Sequence, residues 1–122
     1  MDLPRSGLAD RVTMADEIVL AFSTFPDAET ARKIVRVLVE SKLAACGNVL
    51  PSIHSIYRWQ GKIEASDETL AIFKLPSNRY AEFEARLRSL HPYDVPEIIS
   101  ARIDRGLPEY LRWVLDSCAS QS

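Results

Sequence analysis

Residues 48–75 hold one dipeptide that breaks the run of the chain, Gln60-Gly61, with long apolar-rich segments on either side. Glycine tolerates the positive φ that tight hairpin turns demand, so the flanking segments read as the two strands of one β-hairpin. On the first arm Ile53, Ser55, Tyr57 and Trp59 share a face by the two-residue period, and His54, Ile56 and Arg58 share the other. The second arm is polar in its first half (Glu64, Ser66, Asp67, Glu68) and apolar in its second (Leu70, Ala71, Ile72, Phe73), so only the second half is expected in a core. Each arm is about twice the usual strand length of roughly 5–6 residues, and the tip should overhang any sheet the chain can build. An overhanging ribbon carrying Ile56, Tyr57 and Trp59 invites aggregation unless something covers it. Other copies of the same chain are the expected cover.

The rest of the chain supplies partners for that hairpin. Ile18-Val19-Leu20-Ala21-Phe22 is a continuous apolar run of strand length, which places a first strand at about 17–24 and at the centre of a sheet. Pro26-Asp27 ends it, and Asp27 is suited to cap a helix whose buried stripe is Ala28, Ala31, Ile34, Val35, Leu38 and Val39. Pro51 cannot donate to a ladder, so the first hairpin arm should lie on an edge, with a bend or bulge at that point. Pro76-Ser77-Asn78 offers a stop and a cap for a second helix marked by Tyr80, Phe83, Leu87 and Leu90. A fourth strand is expected at 98–103, and a terminal helix begins after Gly106 with Pro108 at its first position and Leu111, Val114, Leu115 and Cys118 inside.

The order is β-α-β-β-α-β with an added C-terminal helix, an α+β chain on the ferredoxin-like plan, both main helices on one face and the first and third strands central. At 122 residues there is room for one domain, taken as residues 17–119 behind a mobile tail at 1–16 in which Met14 is a candidate alternative start.

Charge and composition remove several classes of function. A net charge of −2, with Glu82 and Glu84 set among Arg79, Arg86 and Arg88, gives no clustered basic face for nucleic acid. No run approaches the roughly 18 apolar residues of a membrane span, and the first residues lack the basic start and apolar block of a signal peptide, so a cytoplasmic protein is expected. Cys46 and Cys118 show no Cys-x-x-Cys spacing and are expected to be reduced thiols. There is no Gly-x-Ser-x-Gly elbow, phosphate-binding glycine loop or His-Glu-x-x-His helix, and the chain is expected not to be an enzyme.

The densest polar and aromatic segment is His91-Pro92-Tyr93-Asp94-Val95-Pro96-Glu97, where two prolines stiffen the backbone. Either it presents His91, Tyr93 and Glu97 to a ligand, or the prolines punctuate and His91 only favours a helix C-terminus.

This segment, together with Ala44-Ala45-Cys46 and Tyr57-Arg58-Trp59-Gln60-Gly61-Lys62, resembles the signature segments of the CutA divalent-cation-tolerance family. Thr24-Phe25-Pro26 and Tyr110-Leu111-Arg112-Trp113 are similar to the same pattern, and the likeness spans about residues 19–114. The resemblance implies a homotrimer of ferredoxin-like subunits joined edge to edge through their sheets. It also implies an association with copper(II) or another divalent cation and an assembly like the P-II signal proteins, which take small ligands in clefts between subunits. The chain departs from the pattern at Gly47, expected to loosen the entry to the first arm, and in its N-terminal tail.

Cys46, His91 and Glu97 bring a thiolate, an imidazole and a carboxylate, a mixture suited to copper or zinc, but without chelating spacing, so folding or the trimer would have to assemble them. Cys46 in a small apolar run is more often a small buried hydrophobe than a ligand, and His54 is a weaker candidate. Tyr57, Trp59, Lys62 and Tyr93 would line a subunit cleft for an anion or planar small molecule, or else pack at the trimer interface. A rigid trimeric scaffold for partner proteins is a third reading.

Overall fold

The computed structural model describes residues 15 and 17–119. The tail expected at 1–16, and Met14 with it, lies outside the described residues except for Ala15, which is buried beside Ile18.

β1 (Ile18–Phe25) leads through α1 (Ala28–Glu40) to the hairpin of β2 (Cys46–Trp59) and β3 (Lys62–Pro76). A 3-10 turn at Ser77–Arg79, α2 (Tyr80–Leu90), β4 (Ile99–Arg102) and α3 (Pro108–Ser117) follow. The strands form one antiparallel sheet in the order β2-β3-β1-β4, with β1 and β3 central and β2 and β4 at the edges. The result is a mixed α+β fold with a four-stranded antiparallel sheet and three helices among the described residues.

Asp27 caps α1 by accepting from the Thr30 amide at 2.7 Å. Val19, Ala21 and Phe25 of β1 and Ala71, Phe73 and Leu75 of β3 point to one face, where Ile34, Val35 and Leu38 of α1 and Phe83 and Leu87 of α2 close a single core. α3 makes a second, smaller cluster with Ile18 and Ala45 through Leu111, Val114 and Cys118. No capping side chain starts α2: the expected cap at Ser77-Asn78 is replaced by the 3-10 turn, which absorbs the free amides as a tighter winding. β4 is shorter than the expected 98–103, because only Ile99–Arg102 pair with β1.

The hairpin turn has positive φ at both Gln60 (50°) and Gly61 (78°), the geometry that matches the twist of the flanking strands. The ladder shifts register between Leu50 and Ile53, with Ser52 at φ 63° beside Pro51. β2 therefore spends one extra residue there, a bulge that resets which of its side chains face each way. As a result Cys46, Asn48 and Leu50 share a face with Ile53, Ser55, Tyr57 and Trp59, opposite Lys74, Ile72 and Leu70 and then Glu68, Ser66, Glu64 and Lys62.

β1 pairs with β3 only from Thr69 to Pro76. Beyond that point the hairpin is a two-stranded ribbon, with Ile56, Trp59 and Ile63 more than half exposed. On the sheet face away from α1 and α2, Leu20, Phe22, Leu70 and Ile72 are only partly covered, and Leu50 and Ile99 are exposed.

Gly47 tightens the entry to β2, contrary to the expectation that it would loosen it. A Cβ there would lie 2.6 Å from Val35 Cγ1 and 3.2 Å from a ring carbon of Phe73, so the missing side chain is what lets α1 approach β2. Gly61 has open space around it and is needed only for its φ.

Gly47→Ala and Gly61→Ala should each destabilise the chain, the first by overpacking at about 1–3 kcal/mol and the second by backbone strain at about 1–2 kcal/mol. Denaturant titration of double mutants separates the causes. Val35→Ala should offset part of the Gly47→Ala loss and none of the Gly61→Ala loss.

Candidate functional site

A cavity of about 620 Å³ lies between the overhanging ribbon and the loop that follows α2. Tyr57, Trp59, Ser66 and Glu68 line it from the ribbon, Thr24 from the end of β1, and Tyr93, Asp94, Val95 and Glu97 from the loop. The bulge gives Tyr57 and Trp59 the same facing as Glu68, and the stiff loop brings Tyr93 across to it. The Tyr93 hydroxyl donates to Glu68 Oε2 at 2.7 Å. Burial, then this hydrogen bond to a carboxylate, raises the Tyr93 phenol above its ordinary 10.0.

His91 holds the loop in place. Its Nε2 donates to the Thr24 carbonyl at 2.8 Å, and its Nδ1 accepts from the Tyr93 amide at 3.1 Å. The ring stacks on Phe25 with centroids 4.7 Å apart. Both nitrogens are used, so the imidazole is neutral with its proton on Nε2. Burial pushes its pKa below the ordinary 6.5, against weaker opposite pulls from the Thr24 carbonyl and the Glu68 charge.

Cys46 is placed at the other end of β1. It pairs with Lys74, which pairs with Leu20, four residues before Thr24 and hence roughly 13 Å away along the strand. The polar neighbour of its sulfur is the Tyr110 hydroxyl at 3.7 Å, and burial followed by that contact raises the Tyr110 phenol. Cys118 is buried among apolar side chains and its thiol is pushed up by burial.

The family model for the CutA1 divalent ion tolerance protein matches residues 19–117. The chain belongs to that family. It is 42% identical over 102 residues to the divalent-cation tolerance protein CutA of Thermus thermophilus, covering 84% of this chain and 97% of that one. Against a CutA homolog of Xenopus laevis it is 48% identical over 96 residues, 79% of this chain and 64% of the relative's length. The crystal structure of CutA from Xylella fastidiosa superimposes with a TM-score of 0.82 at 44% identity, covering 84% of this chain and 99% of that one. The four-stranded sheet and three helices are thus those of CutA1 structures.

Within this chain the residues singled out in the sequence fall into separate places. Tyr57, Trp59, Tyr93 and Glu97 come together in the cavity; Lys62, paired with Trp59 at the turn, is not among the residues lining it. Cys46, His91 and Glu97 do not form a ligand set in one chain: among the described residues no three His, Cys, Asp or Glu side chains are placed to hold a metal ion. The physical reason is the distance along β1 that separates Cys46 from His91, and the use of both His91 nitrogens inside the loop. His54 is exposed and hydrogen-bonded to Asp67 at 2.6 Å on the opposite face of the ribbon.

Glu68 and Thr24 were not readable as site residues. Glu68 sat in a polar half-strand, and the alternation of β3, which gives it the facing of Leu70 opposite Thr24, puts it within reach of Tyr93. Glu97 faces this cavity with Asp94, away from any cysteine pairing.

A folded-state pKa below the unfolded value means that the unfolded chain binds the His91 proton first. His91 therefore contributes fully above about pH 6.5, and its contribution is lost as pH falls through the depressed folded value. The guanidinium midpoint should drop between about pH 7 and pH 5 more steeply in the native protein than in His91→Gln. Equal slopes would assign the acid sensitivity elsewhere.

Proposed function

We propose that this chain serves divalent-cation tolerance as a homotrimer that takes a small ligand in the cavity beside the hairpin tip, its effect on metal ions passing through that assembly. The observation that carries the proposal is the uncovered apolar sheet face. Leu20, Phe22, Leu70 and Ile72 form its centre, with Leu50 and Ile99 exposed at its margins, and a two-stranded ribbon extends beyond it. A surface of this kind on a monomer is an association site, and a closed ring of identical copies covers it without leaving an open edge. Sheet order and the two helices on one face fit the ferredoxin-like plan, and such subunits, joined through their sheets, would resemble the P-II signal proteins. We read the protein as non-enzymatic: the Nδ1 lone pair of His91 is already taken by the Tyr93 amide, and Cys46 neighbours Tyr110. We place it in the cytoplasm, where the thiols of Cys46 and Cys118 stay reduced. Among the described residues no helix is long and apolar enough to cross a membrane.

A second reading, direct binding of copper(II) or a similar ion, is favoured by Cys46. Its thiol is partly accessible and has a long contact with the Tyr110 hydroxyl. In that reading the ligands around Cys46 come from more than one subunit.

Native mass spectrometry of chelator-free protein tests both. The native chain should appear as a trimer, and Ile72→Asp should shift it to monomers by placing a charge on the buried face. Copper uptake in a fixed ratio to subunits that disappears in Cys46→Ser would establish the second reading; a bare trimer, or unsaturable uptake untouched by Cys46→Ser, would remove it. A native chain that stays monomeric at micromolar concentration would overturn the assembly itself.

A further inference from the structure

The cavity beside the hairpin tip has a lining whose chemistry specifies more than its size. Three aromatic residues, Tyr57, Trp59 and Tyr93, and three carboxylate residues, Glu68, Asp94 and Glu97, line it, and among the described residues no lysine or arginine does. Lys62, the cation expected to draw an anion there, lies outside it. We propose that this site binds a small organic cation, an alkylammonium ion whose charge is met by the carboxylates and whose carbon body lies against the rings.

The inference rests on the cavity reading above and adds the class of its occupant. Ring faces carry negative quadrupole charge and attract a cation that is not strongly hydrated. Carboxylates on the rim add Coulomb attraction without needing to converge on one point. A bare divalent ion is the competing cation, and it asks for several oxygens at about 2.0–2.6 Å. The three carboxylates do not meet that demand, since no group of three metal-ligating side chains exists among the described residues. An anion would face three like charges with no basic partner in the lining among the described residues. The site is also built to keep its shape. Glu68 is held by Tyr93 at 2.7 Å, Tyr93 is held through its amide by His91, and His91 is fixed to Thr24 and stacked on Phe25. A volume of about 620 Å³ lies in the range of clefts that take small organic molecules and admits an alkylammonium ion with room to spare.

Choline and putrescine are the cationic probes, 3,3-dimethylbutan-1-ol is the uncharged isostere of choline, and succinate is the anion. Each is titrated into the full-length protein at physiological ionic strength. The readout is the indole N–H resonance of Trp59, identified as the signal missing in Trp59→Phe. At least one cation should shift that resonance saturably and bind about tenfold or more tightly than the isostere, as expected of charge recognition over aromatic faces. Glu68→Gln, which keeps the side-chain shape, should weaken the cation severalfold more than it weakens the isostere, with the assembly intact by native mass spectrometry. If the isostere or succinate binds and neither cation does, the cation assignment fails while the cavity reading stands. If no probe gives a saturable shift, both fail. If a cation binds equally well to Glu68→Gln, the carboxylate role is wrong.

Discussion

One surplus residue in β2 governs how the two ends of this molecule relate. Without the bulge beside Pro51, the alternation of side chains would carry Cys46, Asn48 and Leu50 onto the face of His54 and Ile56. With it, the apolar residues of the sheet and the aromatic residues of the ribbon look the same way, so Leu70 and Ile72 continue directly into Glu68, Tyr57 and Trp59. The association face and the cavity are thus one surface. Whatever covers the sheet also stands next to the cavity mouth, which links subunit packing to ligand access by geometry alone.

The second constraint is the His91 knot. A loop with two prolines is stiff but has no intrinsic reason to lie in one place. Burial of His91 against Phe25, with one ring nitrogen donating and the other accepting, supplies that reason. An imidazole suits this task because it offers a donor and an acceptor on opposite sides of a flat apolar body. The same facts make His91 a poor free ligand for metal, and they show how a histidine that sequence offers to a ligand or to a helix C-terminus serves to hold the loop. The packing of Gly47 beneath Val35 is a comparable case, in which an apparent weakness in the chain is a point of close approach between α1 and β2.

Periodicity and punctuation carried most of the fold. The Gln60-Gly61 turn, the edge position of β2, the break at Pro51, the Asp27 cap and the core half of β3 were all legible, because each depends on interactions within a few residues. The start of α2 was not, since a 3-10 turn and a side-chain cap satisfy the same free amides and sequence does not rank them. Half the candidate site was legible too: Tyr57, Trp59, Tyr93 and Glu97 stood out as aromatic and charged residues on stiff or overhanging segments. Glu68 was not legible as a site residue, because its contact with Tyr93 depends on how a loop far along the chain folds back over β3.

By itself the sequence determined the order of elements, the family and the existence of a hairpin too long for its own sheet. The order of elements and the hairpin follow from local backbone preferences and from apolar spacing, which act over a turn or a strand, and the family from the likeness of its motifs. Only the tertiary structure decided that Cys46 and His91 stand at opposite ends of β1, that both nitrogens of His91 are engaged, and that the cavity is acidic and aromatic. Each of these is a statement about residues far apart in the chain, and strand register, which sets such distances, is fixed by the packing of the whole core.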